Sequence, residues 1–219
     1  MGQSLPKGRP VSTIVVIQPE SRESVELTTT ATGLDLFGND RGIVAMKVNG
    51  HLQDLQRELA DGDEVEPVLA NSDEGLAIIR HSTAHVTAQA LQHLFVDAKL
   101  GIGPPITDGF YYDFAISPLT PDDLKAIEKR MGQIVREKQR FVRREVSDEE
   151  AREELAAEPF KLELIADKGG ASATDGSSVE VGEGQLTIYD NVRRDGSVAW
   201  RDLCRGPHVP HTGYLQAFA

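Results

Sequence analysis

Two short motifs supply most of the residues in this sequence that could do chemistry. The first is His81-Ser82-Thr83-Ala84-His85, whose two imidazoles are four residues apart. On a helix that spacing places both rings on one face, one turn apart. The second is Cys204-Arg205-Gly206-Pro207-His208, in which a thiol and a third imidazole have the same separation. Its Gly-Pro step predicts a loop rather than a helix.

The side chains of His81, His85, Cys204 and His208 fit two kinds of site. Three nitrogens and one sulfur are a plausible tetrahedral zinc set, and the same groups could form a polar pocket that holds and activates water. Each motif alone has an ordinary explanation, a helix surface for the histidine pair and an apolar filler for the cysteine. Four of the chain's seven His and Cys residues (six histidines, one cysteine) fall into these matched pairs. That pairing favours a functional site.

A zinc metalloprotease is not supported by the first motif. In the HExxH motif of such enzymes, a glutamate beside the first histidine is the general base. Here Ser82 occupies that position. A protease built on this motif would therefore lack its base.

A long helix must carry the histidine pair. Asn71 or Ser72 can cap its start, and Asp73 and Glu74 are acids suited to the positive end of a helix dipole. Apolar residues then recur at helical spacing as far as Leu94. A Gly/Pro break follows at 101–105, and a strand is predicted over 110–114 after an Asp-Gly turn.

Two further helices are predicted from their amino-terminal signals. Thr120 with Pro121 and Asp123 is a close analogue of a capping box, and Ser147 with Glu150 repeats the device. The stretch from about 167 to 185 is rich in Gly, Ser and Asp, which predicts a mobile loop that is dispensable for folding.

The first seventy residues have a different character. Short β-branched or alternating runs separated by turn residues predict several strands, at 11–17, 23–29, 43–48 and 65–69. Such a pattern suggests a ubiquitin-like or β-grasp fold. The sequence therefore predicts an α+β protein with two domains, at 1–70 and 71–219.

Composition limits the class of protein. Apolar residues make up 39% and charged residues 26%, as in soluble globular proteins. There is no apolar run of the roughly 18 residues that a membrane span requires, and the first ten residues contain no signal-peptide core. A single cysteine and no leader predict a cytoplasmic protein. The net charge of −12 argues against a broad nucleic-acid surface, so any RNA contact needs a local basic patch or further protein.

Three ordered strings closely resemble the editing domain of threonyl-tRNA synthetases. They are RHSTAHVTAQAL at 80–91, GIGPPITDGFYYDF at 101–114 and DLCRGPHVP at 202–210. The related editing domain of alanyl-tRNA synthetases shares the HxxxH and CxxxH layout. The first seventy residues resemble the β-grasp TGS module that precedes this domain in bacterial threonyl enzymes. The resemblance covers almost the whole chain.

The resemblance implies a proofreading hydrolase that removes serine from mischarged tRNA(Thr), with the acceptor end of that tRNA as partner and no membrane. It implies a pocket built from His81, His85, Cys204 and His208, with Asp202 and Lys161 also involved. Periodicity alone would place Lys161 on a helix surface and make Asp202 a loop-capping acid. The chain stops at Ala219, before the aminoacylation and anticodon-binding domains, so no aminoacylation is expected of it.

Three classes of function remain open from the sequence. The first, implied by the threonyl-type resemblance, is an editing hydrolase that uses no metal or other cofactor. The second is a zinc-dependent aminoacyl-tRNA hydrolase with the same four ligands, as the alanyl-type relatives suggest. The third is a non-catalytic module in which the two motifs hold structural zinc and the β-rich domain recruits tRNA or another partner.

Overall fold

A computed structural model of the chain describes residues 11–18, 21–28, 30–38, 40–103, 105–106, 108–167 and 185–216. The chain divides into two compact units, Met1–Gly75 and Leu76–Ala219. Residues 168–184 of the predicted mobile loop lie outside the described residues. Within the described part of the chain, no helix combines the length and the apolar character needed to cross a bilayer.

The first unit is a five-stranded sheet with one short helix. The elements are β1 (Val11–Gln18), β2 (Ser21–Thr28), α1 (Gly33–Phe37), β3 (Ile43–Val48), β4 (His51–Gln53) and β5 (Glu64–Leu69). The strands follow the order β2-β1-β5-β3-β4, in which β1 and β5 are parallel neighbours and the remaining pairs are antiparallel. One face of the sheet buries an apolar core that includes Ile14, Met46, Leu55 and Val65.

The Asn49-Gly50 step forms a tight turn between β3 and β4. Both residues have positive φ, 52° and 81°, as a two-residue hairpin turn between β3 and β4 requires. The Asn49 side chain also donates to Asp63 Oδ1 at 2.8 Å and accepts from the backbone N–H of Glu64 at 2.9 Å. The turn is thereby tied to the start of β5.

The second unit is organised around one buried helix, α2 (Asp73–Leu94). From His81 to Leu91 every residue except Thr87 is buried. Small residues such as Ala84, Ala88 and Ala90 have no exposed surface, which lets neighbouring elements approach the helix closely. The predicted helix is thus confirmed, and its middle is covered on all sides.

The second unit also contains a three-stranded antiparallel sheet and three more α-helices. The elements are α3 (Pro121–Glu137), β10 (Arg140–Val146), α4 (Asp148–Glu154), α5 (Pro159–Ala166), β11 (Leu186–Val192) and β12 (Val198–Leu203). The sheet has the order β10-β11-β12, and its middle strand is buried along its whole length. Both predicted capping boxes are present, at the starts of α3 and α4.

The strand predicted over 110–114 is wrong as a single element. The region forms two short hairpin pairs instead, β6 (Lys99–Leu100) with β9 (Phe114–Ala115) and β7 (Pro105–Ile106) with β8 (Gly109–Phe110). The segment between β8 and β9 bonds to a loop, since Asp113 N–H donates to Ile102 O at 2.9 Å. The residues between β8 and β9 therefore do not join these two strands into one continuous strand.

The capping box at the start of α3 can be tested directly by substitution. Asp123 N–H donates to Thr120 Oγ1 at 3.3 Å, and Asp123 Oδ2 accepts from Thr120 N–H at 2.8 Å. We expect Thr120→Ala to lower the free energy of unfolding by about 1 kcal/mol, because a helix N–H loses its partner. Urea denaturation measures the change. Thr120→Ser keeps the hydroxyl and should be nearly neutral, so equal destabilisation by both variants would contradict the capping role.

Candidate functional site

The four side chains of the two motifs meet in one buried cluster. One ligating atom from each of His81, His85, Cys204 and His208 lies within 4.8 Å of the others. Cys204 Sγ is 3.2 Å from His81 Nε2 and 3.4 Å from His208 Nε2. The predicted convergence of the two motifs is therefore observed. We call these four residues the histidine cluster.

The helix α2 and the loop that follows β12 position the cluster. His81 and His85 lie one turn apart on the buried face of α2, with their rings 5.1 Å apart. Cys204 begins the loop, and the backbone N–H of Gly206 donates to its sulfur at 3.2 Å. Gly206 has φ of +70°, and a Cβ there would lie 1.9 Å from the hydroxyl oxygen of Tyr189. Only glycine fits this close approach.

Ser82 joins the two motifs, a role that the sequence reasoning missed. Its Oγ lies 3.0 Å from Nδ1 of His208 and accepts from the backbone N–H of Val209 at 3.1 Å. The hydroxyl thus sets the orientation of the His208 ring and holds the loop against α2. A serine at the position where metalloproteases have their glutamate is therefore a structural link in this chain.

His85 is the unsatisfied member of the cluster. It is 1% exposed, and neither of its ring nitrogens has a hydrogen-bond partner among the described residues. Buried polar atoms in native proteins are nearly always paired with protein or water. An imidazole with both nitrogens available is suited to bind a water, a substrate atom or a metal ion.

Aromatic rings enclose the cluster. Phe141 stacks on His208 with ring centroids 4.7 Å apart, and Tyr189 contacts the same imidazole edge-on at 4.6 Å. Trp200 meets His85 edge-on at 5.5 Å. These rings exclude water and fix the imidazole planes. No spacing rule in the sequence connects them to the two motifs.

Burial keeps the three imidazoles neutral. Desolvation lowers the pKa of His81 to about 4, with the nearby charge of Lys161 as a second cause. It also lowers the pKa of His85 and His208 well below the usual value, and the neighbouring imidazoles add to the effect. At neutral pH all three rings therefore offer a lone pair.

A buried ion pair adjoins the histidine cluster. Lys161 and Asp202 have no exposed surface, and Lys161 Nζ is 3.1 Å from Asp202 Oδ1. Tyr112 donates its hydroxyl to Asp202 Oδ2 at 2.6 Å, and Lys161 Nζ lies 5.6 Å from the centre of the Tyr112 ring. Burial raises the pKa of Asp202, against the opposing effects of Lys161 and Tyr112. Lys161 is thus not the surface lysine that periodicity favours.

The cluster also has the donor set for zinc. Neutral imidazoles and a cysteine sulfur are the ligands that zinc takes in proteins. Zinc–ligand bonds of about 2.0–2.3 Å place tetrahedral ligand atoms roughly 3.3–3.8 Å apart. The two contacts of Cys204 are already near this range, whereas the widest separation of 4.8 Å would have to shorten by roughly 1 Å. The four side chains could hold a metal after a small closure.

Comparisons with known proteins point to one family. The domain family described as threonyl and alanyl tRNA synthetase second additional domain matches residues 179–219. The threonine–tRNA ligase of Cutibacterium acnes is 65% identical over 191 residues, which are 87% of this chain and 28% of that protein. The threonine–tRNA ligase of Streptomyces avermitilis is 59% identical over 207 residues, 93% of this chain and 32% of that protein.

These similarities confirm the resemblance to the editing region of threonyl-tRNA synthetases that the motifs indicate. The matched domain family covers the second motif, with Asp202, Cys204 and His208. The ligases match nearly the whole chain at high identity. The chain spans about a third of the length of these curated relatives.

The neutral imidazoles predict how stability depends on pH. Below about pH 6.5 the unfolded chain binds protons at His81, His85 and His208, whereas the folded chain does not. Because their folded pKa values are lowered, the free energy of unfolding should fall as the pH drops below 6.5. Each group contributes up to about 1.4 kcal/mol per pH unit. Burial also lowers the pKa of the half-buried His93, which adds to the effect. Asp202, with its raised pKa, acts in the opposite sense, but it is one group against four.

Urea denaturation between pH 7 and pH 5 measures this dependence. Exposed carboxylates titrate below this range, so the histidines dominate it. His85→Gln should make the dependence shallower by about one proton, while the same change at the exposed His51 should leave the contribution of the cluster unchanged. A flat profile in the unsubstituted chain would mean that the cluster is not held neutral.

Proposed function

From this relationship to threonyl-tRNA synthetases, we propose that the second unit is a proofreading hydrolase, which cleaves the ester of seryl-tRNA(Thr). The observation that carries the proposal is the buried, neutral His85 with two unpaired nitrogens, placed among His81, Cys204 and His208. An ester hydrolase needs such a place to hold water near a carbonyl group. The adjoining Lys161 supplies a positive charge.

Serine is the substrate that a threonine enzyme most needs to remove. The two amino acids differ by one methyl group, and a missing methyl changes binding by only about 1–3 kcal/mol. A synthetic site selects weakly on that basis, so a second site is useful. An editing pocket that accepts the seryl side chain and has no room for the extra methyl would spare the correct product.

We assign each residue of the site a separate role in hydrolysis. His85, with His81 beside it, accepts a hydrogen bond from the attacking water and directs its lone pair at the ester carbonyl. Their lowered pKa values make them weak bases, so their main contribution is to orient the water, whose proton passes to the leaving ribose oxygen as the ester bond breaks. Lys161 stabilises the negative charge that develops on the carbonyl oxygen or the leaving ribose oxygen.

The remaining site residues hold these groups in place. Asp202 fixes the ammonium of Lys161 and is itself fixed by Tyr112. Cys204 bridges His81 and His208, and Ser82 orients His208. On this account no metal or other cofactor takes part in the editing reaction.

The first unit fits a TGS module of the β-grasp type. Its strand order places the parallel pair β1 and β5 at the centre of the sheet, with hairpins on either side. We assign residues 1–70 to this module and 71–219 to the editing domain. The protein would act in the cytoplasm, where its tRNA substrate is charged, and aminoacylation would belong to domains outside this chain.

Zinc-dependent hydrolysis is the second candidate, favoured by the donor set of the histidine cluster. Zinc would be held by His81, His85, Cys204 and His208, and would polarise the ester as a Lewis acid when bound. A non-catalytic tRNA-binding or partner-binding module is the third candidate. It differs from the other two in having no hydrolytic activity.

Substitution of the paired histidines tests the proposed activity. We expect His81→Ala and His85→Ala each to slow hydrolysis of seryl-tRNA(Thr) by about 10²-fold or more, because loss of an imidazole that orients the attacking water misplaces the reacting atoms. Release of labelled serine from the tRNA is the measurement. His51→Ala, in an exposed strand of the first unit, is the matched control and should hydrolyse normally. Near wild-type rates in both cluster variants would make the site assignment wrong.

Metal analysis separates the first two candidates. We expect purified protein to contain far less than an equimolar amount of zinc, and a chelator to leave hydrolysis unchanged, because the proposed orientation of water by His85 needs no metal ion. Elemental analysis with a parallel hydrolysis assay gives both results. Equimolar zinc that is lost together with activity on chelation would favour the zinc-dependent enzyme instead.

A further inference from the structure

A shallow surface cleft, lined by three arginines and two carboxylates, lies in the second unit where α3 ends and β11 turns into β12. It is lined by Arg136, Glu137, Arg193, Arg194 and Asp195, and has a volume of about 420 Å³. None of these residues belongs to the histidine cluster or to the Lys161–Asp202 pair. We call these five residues the arginine cleft.

The surroundings of the cleft are more basic than the rest of the chain. The whole sequence has a net charge of −12. Lys138, which is exposed, ends α3 directly after Glu137, and the exposed Arg140 pairs across the sheet with Val192, the residue before Arg193. Positive charge is therefore in excess around the cleft, although the chain as a whole is acidic.

One side of the cleft is held rigid from within the protein. Gln139, which is fully buried, donates to Glu137 Oε2 at 2.6 Å, and Arg130 donates to Glu137 Oε1 at 3.4 Å. Arg193 Nε lies 3.7 Å from the same carboxylate. Arg193 Nη1 also donates to Ser197 Oγ at 3.4 Å. These two contacts restrict the Arg193 guanidinium before any ligand arrives, which lowers the entropic cost of binding.

Two guanidinium groups of the cleft are not used by the fold. Arg136 and Arg194 are exposed, and neither side chain has an ion-pair or hydrogen-bond partner among the described residues. By contrast, Arg144 and Arg201 in the same unit are both paired with Glu154 and Asp190. Unpaired guanidinium groups beside a preorganised third one suit the oxygens of a phosphate.

The cleft is also within a few nucleotides of the candidate catalytic site. Tyr189 contacts the His208 ring, and Arg193 follows Tyr189 by four residues at the end of the same strand. At about 3.3 Å per residue this is roughly 13 Å. Phosphates along one nucleic-acid strand are about 3.4 Å apart in rise, so a strand whose end enters the pocket can reach the cleft.

We propose that the arginine cleft binds backbone phosphates of the tRNA whose terminal ester is hydrolysed in the histidine cluster. The proposal rests on the proposed function for the identity of the nucleic acid. The arginine cleft is the local basic patch that a chain with a net charge of −12 needs in order to bind RNA. Arg136 and Arg194 make the phosphate contacts, and Arg193 fixes the geometry between them.

The test measures binding of uncharged tRNA(Thr) to the 219-residue chain by fluorescence anisotropy at several KCl concentrations. The variant is Arg136→Gln with Arg194→Gln. The matched control is Arg41→Gln with Arg152→Gln, which removes two exposed arginines that also lack side-chain partners among the described residues. Each lost phosphate contact should reduce the slope of log K against log[KCl] by roughly 0.7–0.9. The cleft variant should therefore lose about 1.4–1.8 from the slope, and the control much less.

This experiment measures binding and does not require hydrolysis. Failure of the cleft proposal can therefore be told apart from failure of the proposed function. Weaker binding with a reduced slope in the cleft variant alone supports the proposal, even if seryl-tRNA is not cleaved. Equal slopes in the cleft variant and the unsubstituted chain would overturn it. Equal losses in the cleft and control variants, or no measurable binding of tRNA by the unsubstituted chain, would overturn it as well.

Discussion

The structure of the second unit depends on the burial of a large polar group of residues. Three imidazoles, a thiol, an ammonium and a carboxylate lie together with almost no exposed surface. Burial of polar and charged groups is costly unless each one finds a partner. Most of these groups have such partners. Lys161 pairs with Asp202, and His208 contacts Ser82 and Cys204. His85 is the exception, and an exception of this kind marks a place for a ligand or water.

The same constraint connects the fold to the proposed chemistry. A helix that carries polar residues into a core must be enclosed by elements that satisfy them, and α2 is enclosed by the sheet and by the loop after β12. Desolvation keeps the imidazoles neutral, and aromatic walls exclude bulk water. A neutral, preorganised cluster of imidazoles next to a fixed positive charge is suited to orient one water molecule away from bulk solvent.

Much of this arrangement could be predicted from spacing, and the rest could not. The i, i+4 pattern placed His81 and His85 on one helix face, and the Gly-Pro step placed Cys204 and His208 on a loop. Periodicity failed for Lys161, because a helix pattern cannot report an ion pair with a distant strand. The roles of Ser82 and Tyr112 were missed for the same reason, since their partners are 126 and 90 residues away. Such contacts are set by tertiary packing.

Removal of serine with sparing of threonine is the proposed function of the second unit, and its most direct measurement is the ratio of the two hydrolysis rates. Seryl-tRNA(Thr) and threonyl-tRNA(Thr) are each mixed with excess of the 219-residue chain, and single-turnover deacylation is followed. A pocket that discriminates by one methyl group predicts that serine is released about 10–200 times faster than threonine. Equal rates, or a serine rate no greater than spontaneous hydrolysis, would contradict the account.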